Sequence, residues 1–343
     1  MQQILIKLSR GHDLDAPEAE EAMRTIMAGQ ATPAQIGAFL MGLRAKGETV
    51  EELVGCARAM RAFAVQVQSR HALLVDTCGT GGDGSGTFNI STAAAFVVAG
   101  AGQPVAKHGN RAASSRSGSA DVLEALGVRI DLAPEVVGRC RDEVGLAFLF
   151  AQRHHGAMRH VAGPRRELGF RTIFNLLGPL CNPAGAQAQV VGVPDPKLVE
   201  PVAEALRRLG TRRALVVHGS DGLDEFTLGG PSLVADTADG EAAGAREVRP
   251  ESLGLEPADR EALAGGSPQD NADIVLAILR GAGGPRRDVV CLNAAAALVA
   301  GGRARDLAEG LELARRSIDG GAALERLEAL RRFTTREGEG AAG

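Results

Sequence analysis

The sequence predicts an α/β protein in which a small N-terminal helical domain, residues 1–71, precedes a larger α/β domain, residues 72–343, with a mostly parallel central sheet. Residues 15–68 carry apolar side chains at helical spacing between explicit helix start signals. The rest of the chain alternates short apolar runs with helical stretches. The composition, 45% hydrophobic and 23% charged over 343 residues, is that of a globular protein. We also expect part of residues 160–185 to join the helical domain.

The predicted helices of the N-terminal domain have recognisable beginnings and ends. Pro17, which acidic residues follow, suits the first turn of a helix. Thr32 and Thr49 each stand three residues before a Gln or Glu, which is the spacing of a capping box. Gly29 and Gly47 stand where the preceding helices should end. Apolar residues recur every three or four positions between these signals, so each helix has one face to bury.

From residue 72 onward, short apolar runs indicate buried strands. Continuous apolar strands that alternate with helices are typical of a parallel sheet covered on both faces. Helices are predicted for residues 197–209 and 305–316, and the polar, Gly-rich segment from about residue 334 is predicted to be flexible. The predicted strands are residues 72–76, 104–108, 147–151, 188–193, 214–219 and 288–293.

Charge and composition disfavour several classes of protein. A formal net charge of -4, with 3% aromatic residues and neither Trp nor Tyr, offers no basic field and few stacking surfaces for nucleic acid. No apolar stretch is long enough to span a bilayer, and the N-terminus lacks the apolar region of a signal peptide. We therefore expect a cytoplasmic protein without a membrane partner. The five cysteines lie far apart without a C-x-x-C pair, which indicates reduced thiols.

Five glycines lie within the eight residues from Gly79 to Gly86, after the first predicted strand. The pattern matches the G-x-G-x-x-G fingerprint of dinucleotide-binding folds, but no acidic residue occurs between Asp83 and Asp121 to bind a ribose. No G-K-[ST] sequence follows, so a P-loop is disfavoured as well. A glycine-rich surface turn without a function is the remaining alternative.

Polar residues around the glycine loop favour phosphate binding instead. Residues 87–92 place hydroxyl and amide groups at the start of a predicted helix, where backbone N–H groups and the helix dipole attract anions. The next predicted strand leads into a second polar loop, and adjacent parallel strands would bring both loops to one edge of the sheet. We therefore predict a ligand with several phosphates. The residues concerned are Thr87, Asn89, Ser91 and Thr92, and then Lys107, His108, Asn110, Arg111, Ser114, Ser115 and Ser119.

An acidic loop that holds Asp221, Asp224 and Glu225 follows the predicted strand 214–219. An exposed acidic turn is one interpretation of this loop. Beside a polyphosphate site, however, paired carboxylates and phosphate oxygens are the usual ligands of Mg²⁺. We therefore predict Mg²⁺ as the cofactor, bound by carboxylates on an exposed loop, and expect Asp83 to contact a ribose or share the metal ion.

Residues 153–183 form a basic and mostly helical stretch. A solvated helix face explains most of its arginines, and His154, His155 and His160 do not have a chelating spacing on a helix. One arginine that binds a substrate carboxylate would suit the rest of the site. The segment "NLLGPLCNP" turns sharply and could form a pocket wall. The arginines are Arg153, Arg159, Arg165, Arg166 and Arg171.

Together these segments resemble the anthranilate phosphoribosyltransferases, which are enzymes of tryptophan biosynthesis. "GTGGD", "FNIST", "KHGNRAASS", "SGSAD", "RTIFNLLGPL", "NPAG" and "GLDE" occur in the family's order and spacing. The resemblance implies transfer of the phosphoribosyl group of 5-phosphoribosyl 1-pyrophosphate to the amine of anthranilate, with release of pyrophosphate. It also implies a homodimer through the helical domain and a nucleoside-phosphorylase/phosphoribosyltransferase-like architecture, with the substrates at the hinge between the domains.

The resemblance further implies roles for individual residues. Lys107 would stabilise the leaving pyrophosphate, and His108 would receive the proton of the amine. Ser91, Asp224 and Glu225 would bind Mg²⁺. The anthranilate side would comprise Gly79, His108, Asn110, Arg165 and Pro179. Phosphoribosyl pyrophosphate would be bound by Gly79, Gly82, Asp83, Thr87, Asn89, Ile90, Ser91, Thr92, Lys107, His108, Gly109, Asn110, Arg111, Ala112, Ala113, Ser114, Ser115 and Ser119.

Two segments depart from the family's pattern, and both belong to the anthranilate side. Gly156 stands where the family has the proline of "HPAM", and residues 162–165 read "AGPR" where the family has "APVR". The shape of this half of the pocket is therefore the part that the resemblance defines least. A pyrimidine nucleoside phosphorylase of the same fold, or a nucleic-acid-binding relative without enzymatic activity, are the alternatives.

Overall fold

The computed structural model describes residues 1–112, 116–238 and 244–340. Its N-terminal part consists of four helices, α1 (Gln2–Ser9), α2 (Ala16–Met27), α3 (Pro33–Lys46) and α4 (Val50–Phe63). Capping boxes at Thr32 and Thr49 begin α3 and α4, as predicted, and a third at Asp15 begins α2. Gly29 and Gly47 adopt positive φ just after α2 and α3, which ends these helices. The short helix α1 had no start signal in the sequence and was not predicted.

A seven-stranded sheet forms the centre of the larger part, in the order β3-β2-β1-β4-β5-β6-β7. The first five strands in this order are parallel, and β6 and β7 are antiparallel additions at one edge. The prediction of an α/β protein with a mostly parallel sheet is therefore confirmed. The strands are β1 (Val75–Gly79), β2 (Val105–Gly109), β3 (Leu146–Phe150), β4 (Ala188–Gly192), β5 (Arg213–Gly219), β6 (Ser232–Asp236) and β7 (Arg246–Val248).

Helices cover both faces of this sheet. The helix α5 (Ile90–Gly100) packs on β1 and β2, whereas the N-terminal helices reach the opposite face through α4 and its contact with α11 (Val199–Arg208). The helices after β1 are α5 (Ile90–Gly100), α6 (Ser119–Ala125), α7 (Pro134–Val144), α8 (Ala151–His154), α9 (Arg159–Leu168), α10 (Ile173–Leu180), α11 (Val199–Arg208), α12 (Pro268–Leu279), α13 (Pro285–Ala300), α14 (Leu307–Asp319) and α15 (Ala322–Gly340).

Several predicted elements are corrected by the structure. Residues 288–293 lie inside α13, because a fully buried apolar run has no period that separates a strand from a helix, and here Pro285 starts a helix of 16 residues. The strand predicted at 72–76 lies three residues later, as β1. The antiparallel strands β6 and β7 were missed. The segment from about residue 334 is helical as far as Gly340, and Thr334 is buried and accepts a hydrogen bond from the Arg129 N–H.

The buried apolar residues form two cores on opposite faces of the sheet. The outer core contains Val190 of β4 and is closed by α5, α13 and α15. The second core, here called the interdomain core, joins Phe39 of α3, Leu177 of α10 and Val191 of β4 in one cluster. Within the described ranges, no helix has both the length and the apolarity to cross a membrane.

Candidate active site

A cavity of about 640 Å³ lies at the carboxyl ends of the central strands, between the sheet and the α9–α10 segment. Because β1 and β2 are parallel neighbours, the loops that follow them meet there. Ala113, Ser114 and Ser115 fall outside the described residues. The structure places every other predicted site residue in the cavity wall, namely Gly79, Gly82, Asp83, Thr87, Asn89, Ile90, Ser91, Thr92, Lys107, His108, Gly109, Asn110, Arg111, Ala112, Ser119, Arg165, Pro179, Asp224 and Glu225.

The loop after β1 requires glycine for two separate physical reasons. Four of its glycines have φ values between 66° and 77°, which residues other than glycine rarely adopt, namely Gly81, Gly82, Gly84 and Gly86. Gly79 has an ordinary backbone, but a Cβ there would lie 2.5 Å from the Asp224 carboxylate. The loop therefore needs its glycines both for its turns and for the close approach of the acidic loop.

The start of α5 is occupied by a carboxylate of the chain itself. The Ser91 N–H donates to Glu225 at 3.1 Å, and the Thr77 hydroxyl donates to the Ser91 carbonyl at 2.9 Å. The sequence predicted free backbone N–H groups in this turn. The structure corrects that prediction for Ser91, because Glu225 already uses the N-terminal end of the helix dipole.

Lys107 is a buried cation beneath the site. Its ammonium donates to the Thr77 carbonyl at 2.5 Å and to the Ser91 hydroxyl at 3.3 Å, and burial lowers its pKa. Asp76, missed by the sequence analysis, lies on the neighbouring strand and accepts hydrogen bonds from the His108 N–H and from Asn182. This buried carboxylate therefore fixes the backbone of the residue that follows Lys107.

Three carboxylates, those of Asp83, Asp224 and Glu225, line the same cavity. Burial, followed by the nearby negative charges, raises the pKa of Asp224 well above its usual value. Burial likewise raises the pKa of Glu225 to about 7, although Lys107 opposes this. Both side chains are half-buried, which corrects the prediction of an exposed loop. Their mutual repulsion would be relieved by a divalent cation, so the residues fit Mg²⁺.

A cation at this point would need further ligands. Within the part of the chain that the structure describes, no three His, Cys, Asp or Glu side chains are grouped closely enough to hold a metal ion on their own. Mg²⁺ commonly binds through one or two carboxylates and keeps water and phosphate oxygens as its other ligands. The carboxylates of Asp224 and Glu225, with the Ser91 hydroxyl, are consistent with such a partial site.

The other half of the cavity is lined by the rings of His108, His155 and Phe174 and by Arg165. The His108 and His155 rings lie 5.1 Å apart between centroids, and burial lowers the pKa of both, that of His155 to about 4. The Arg165 guanidinium stacks 5.3 Å from the Phe174 ring centroid. Across the described ranges the Arg165 side chain has no hydrogen bond and no ion pair, while its neighbour Arg166 is exposed to solvent. Arg165 can therefore offer its donors to a ligand.

Asn271 is a second residue that sequence reasoning missed. Its side-chain amide donates to Asn89 Oδ1 at 2.9 Å and accepts from the Gly266 N–H at 2.8 Å. Asn89 in turn donates to the Ser117 carbonyl at 3.1 Å. Asn271 is thus the outer member of a chain of hydrogen bonds that joins both loops at the cavity. The only signal in the sequence was its place in "SPQDNADIVLAIL".

The neutral state of His155 predicts a pH effect on stability. Because its folded pKa of about 4 lies below the value of about 6.5 of an unfolded histidine, the unfolded chain binds more protons between these values and stability falls as pH is lowered through them. We expect the free energy of unfolding to fall by about 2 kcal/mol between pH 7.5 and pH 5 because of this residue. The measurement is the melting temperature of wild type and His155→Phe at both pH values.

Other buried histidines contribute to the same trend, so the difference between the two proteins is the relevant quantity. His12→Phe serves as the matched control, since His12 is exposed to solvent. His155→Phe should lose less stability on acidification than wild type. Equal losses in wild type and His155→Phe would contradict the assignment of a lowered pKa.

A helical bundle, an α/β domain and a cavity with anion-binding loops between them define a two-domain glycosyl transferase. Residues 71–324 match the family model described as glycosyl transferase family, a/b domain. Residues 2–64 match the model of the helical bundle domain of the same family. The chain belongs to the anthranilate phosphoribosyltransferase family, as the comparisons with individual proteins show.

The similarity extends over nearly the whole chain. The anthranilate phosphoribosyltransferase of Symbiobacterium thermophilum is 58% identical over 336 residues, which is 98% of each protein. The crystal structure of the Thermus thermophilus enzyme has a TM-score of 0.92 and 48% identity, with 97% of this chain and 99% of that chain covered. The Saccharomyces cerevisiae enzyme in complex with PRPP and Mg has a TM-score of 0.90 and 28% identity, with 98% of both chains covered. The nucleoside phosphorylase and nucleic-acid-binding alternatives are not favoured.

Proposed function

We propose that the protein transfers the phosphoribosyl group of phosphoribosyl pyrophosphate to the amine of anthranilate, in tryptophan biosynthesis. The observation that carries this proposal is the two-sided cavity. One side presents two glycine-bearing or basic loops suited to phosphates, and the other presents Arg165 beside the rings of His108, His155 and Phe174. A polyphosphate donor and a planar aromatic acid are the two ligands that such sides accommodate.

The residues of the first side would bind and activate the donor. The turns at Gly81 and Gly82 allow the backbone to approach phosphate oxygens, and Lys107 supplies a fixed positive charge near the departing pyrophosphate. Mg²⁺, held by Asp224, Glu225 and Ser91, would supply further charge stabilisation for the pyrophosphate when bound. Breaking the bond to the ribose leaves electron density on the pyrophosphate oxygen, so positive groups at this wall lower the barrier.

The residues of the second side would orient the acceptor. Arg165 can bind the carboxylate with two parallel hydrogen bonds, while Asn110 and Pro179 lie in the same cavity wall. The amine of anthranilate already has a lone pair, so positioning it in line with the ribose carbon is the main requirement. His108 lines the same cavity with an unpaired Nε2 and would take the proton that the amine loses only transiently, because burial lowers its pKa and makes it a weak base.

The wider context of the activity is also part of this proposal. We infer a homodimer through the helical domain, because Ile6 of α1 and Met41 of α3 are 40% and 49% exposed on helices that pack together. We further infer a cytoplasmic location, since the five cysteines are all buried and free, as expected in a reducing compartment. Light scattering of wild type and of Met41→Glu tests the dimer, which should weaken in the variant.

The direct test is the loss of anthranilate fluorescence on addition of phosphoribosyl pyrophosphate and Mg²⁺. The proposal expects a loss that needs all three components and that releases one pyrophosphate per anthranilate consumed. Thymidine or uridine with free phosphate serves as the control reaction. Phosphorolysis of these nucleosides without any reaction of anthranilate would overturn the proposal.

The chain of hydrogen bonds through Asn271 predicts that a substitution there weakens the binding of phosphoribosyl pyrophosphate but not that of anthranilate. Asn271→Asp keeps the acceptor for Gly266 but places an oxygen against Asn89 Oδ1, so the Asn89 side chain must turn and lose its bond to Ser117. We expect the KM for phosphoribosyl pyrophosphate to rise about five- to tenfold, the value of one hydrogen bond. The KM for anthranilate should stay within about twofold of wild type.

Steady-state kinetics in both substrates provide the measurement for Asn271. Gln269→Glu is the matched control, because it makes the same change from amide to acid on an exposed turn of α12. A parallel rise of both KM values in Asn271→Asp, or the same rise in Gln269→Glu, would contradict a specific effect on Asn89.

A further inference from the structure

Arg171 lies between the two halves of the cavity, in a segment whose backbone is firmly held. It follows the positive-φ residue Gly169 that ends α9 and directly precedes Thr172, the N-cap of α10. Ile173, the next residue, is fully buried in the interdomain core. The backbone of Arg171 is therefore fixed on the α9–α10 side, while its side chain reaches the glycine loop of the α/β domain.

The guanidinium of Arg171 rests against that loop. Its Nη1 donates a hydrogen bond to the Gly81 carbonyl at 2.5 Å. A Cβ built on Gly82 would lie 1.6 Å from the same nitrogen, so the group occupies the space that any other side chain at position 82 would need. One end of the planar fork is therefore anchored to the loop by a bond and by close packing.

The other end of the fork has no partner. Nη2 is buried and forms no hydrogen bond, and Arg171 forms no ion pair with any residue that the structure describes. Burial lowers the pKa of Arg171, and the negative charges of Asp224 and Asp83 oppose this because they favour its charged form, but neither carboxylate lies within ion-pair distance. A buried N–H of a cation without an acceptor is costly, and the usual resolution is a ligand that supplies the acceptor.

The surroundings of Nη2 indicate which kind of ligand it would bind. Arg171 lines the cavity beside Gly81, Gly82 and Asp83, at the wall where the acidic loop meets the glycine loop. Arg165 belongs to the opposite, aromatic half, where it stacks on Phe174. An arginine fork pairs with phosphate oxygens through parallel hydrogen bonds, and a phosphate is the group that the glycine loop can approach.

We propose that Arg171 is a further substrate-binding residue, which binds the pyrophosphate of the donor through Nη2 while Nη1 holds the glycine loop. This inference rests on the proposed function for the identity of the donor. Because Nη1 already connects the α9–α10 segment to the glycine loop, the side chain positions the loop as well as the ligand. Its role is separate from that of Arg165.

The test compares inorganic pyrophosphate with ribose 5-phosphate as inhibitors and as ligands in calorimetry, both with Mg²⁺. In Arg171→Gln, binding of pyrophosphate should weaken about 10- to 100-fold, which corresponds to the loss of a charge-assisted hydrogen bond. Binding of ribose 5-phosphate should stay within about twofold. Arg171→Lys retains the charge but not the fork, and should recover only part of the pyrophosphate affinity.

Arg44→Gln is the matched control, because Arg44 is a nearby exposed cation that does not line the cavity. The proposal is overturned if pyrophosphate binding in Arg171→Gln is unchanged, if ribose 5-phosphate weakens equally, or if Arg44→Gln has the same effect. An unchanged melting temperature of Arg171→Gln confirms that it is folded. Absence of anthranilate turnover in wild type would refute the proposed function, whereas the pyrophosphate measurement would still test Arg171.

Discussion

The double variant Asp224→Asn/Glu225→Gln is expected to lose at least about 100-fold in kcat/KM and to remain folded. Both replacements keep the oxygen that accepts from the Gly81 and Ser91 N–H groups, so the backbone contacts of the acidic loop survive. Both remove negative charge from neighbouring half-buried carboxylates, and the charge of Glu225 is one cause of the raised pKa of Asp224. The melting temperature should therefore be unchanged or higher, while the anchors for Mg²⁺ are lost.

Kinetics as a function of Mg²⁺ concentration, together with thermal melting, check this expectation. Asp221→Asn is the matched control on the same loop, because its carboxylate accepts from Thr227 and is not part of the cavity wall. A calorimetric titration with Mg²⁺ and pyrophosphate gives a readout that does not depend on turnover. Near-normal activity of the double variant at low Mg²⁺ would place the metal site elsewhere.

Arg165→Ala is expected to raise the KM for anthranilate by about one to two powers of ten and to leave that for phosphoribosyl pyrophosphate nearly unchanged. The magnitude follows from the roughly 1.5–3 kcal/mol of a hydrogen bond to a charged group. Burial lowers the pKa of Arg165, and within the described chain no acidic side chain pairs with it, so a carboxylate ligand would be its natural counter-ion. Arg165→Lys should recover part of the loss, because it keeps the charge without the fork.

Arg166→Ala is the internal control for this experiment. Successive residues of a helix point about 100° apart, and Arg166 is exposed while Arg165 lines the cavity. The measurement is steady-state kinetics in both substrates for the three variants. If Arg166→Ala raised the anthranilate KM as much as Arg165→Ala, or if Arg165→Ala had no effect, another group would have to bind the carboxylate.

The cavity wall around the glycine loop could be predicted from the sequence because its residues are adjacent in the chain. The segments around Gly79 and Lys107 each follow a clear apolar strand, and the rule that parallel strands share a carboxyl edge brings them together. Capping boxes at Thr32 and Thr49 were equally local signals. Local signals of this kind do not depend on the rest of the fold.

The residues that were missed act across long sequence separations. Asn182 contacts Asp76 across 106 positions, and Asn271 contacts Asn89 across 182. Arg171 was indistinguishable from the other arginines of its segment, because only the packing of α9 and α10 decides which side chain reaches Gly81. The half-buried state of Asp224 has the same origin, since a turn rich in acidic residues normally indicates solvent exposure.

The interdomain core determines how the molecule can come apart. Phe39 from the N-terminal helices and Val191 from the sheet belong to one continuous apolar cluster, so neither part can melt while the other keeps its buried surface. A chain that began at residue 72 would expose this face of the sheet to water and should aggregate. Calorimetry of the intact protein should accordingly show a single cooperative transition rather than two. The segment between residues 64 and 71 thus separates two domains that differ in architecture but fold as one cooperative unit.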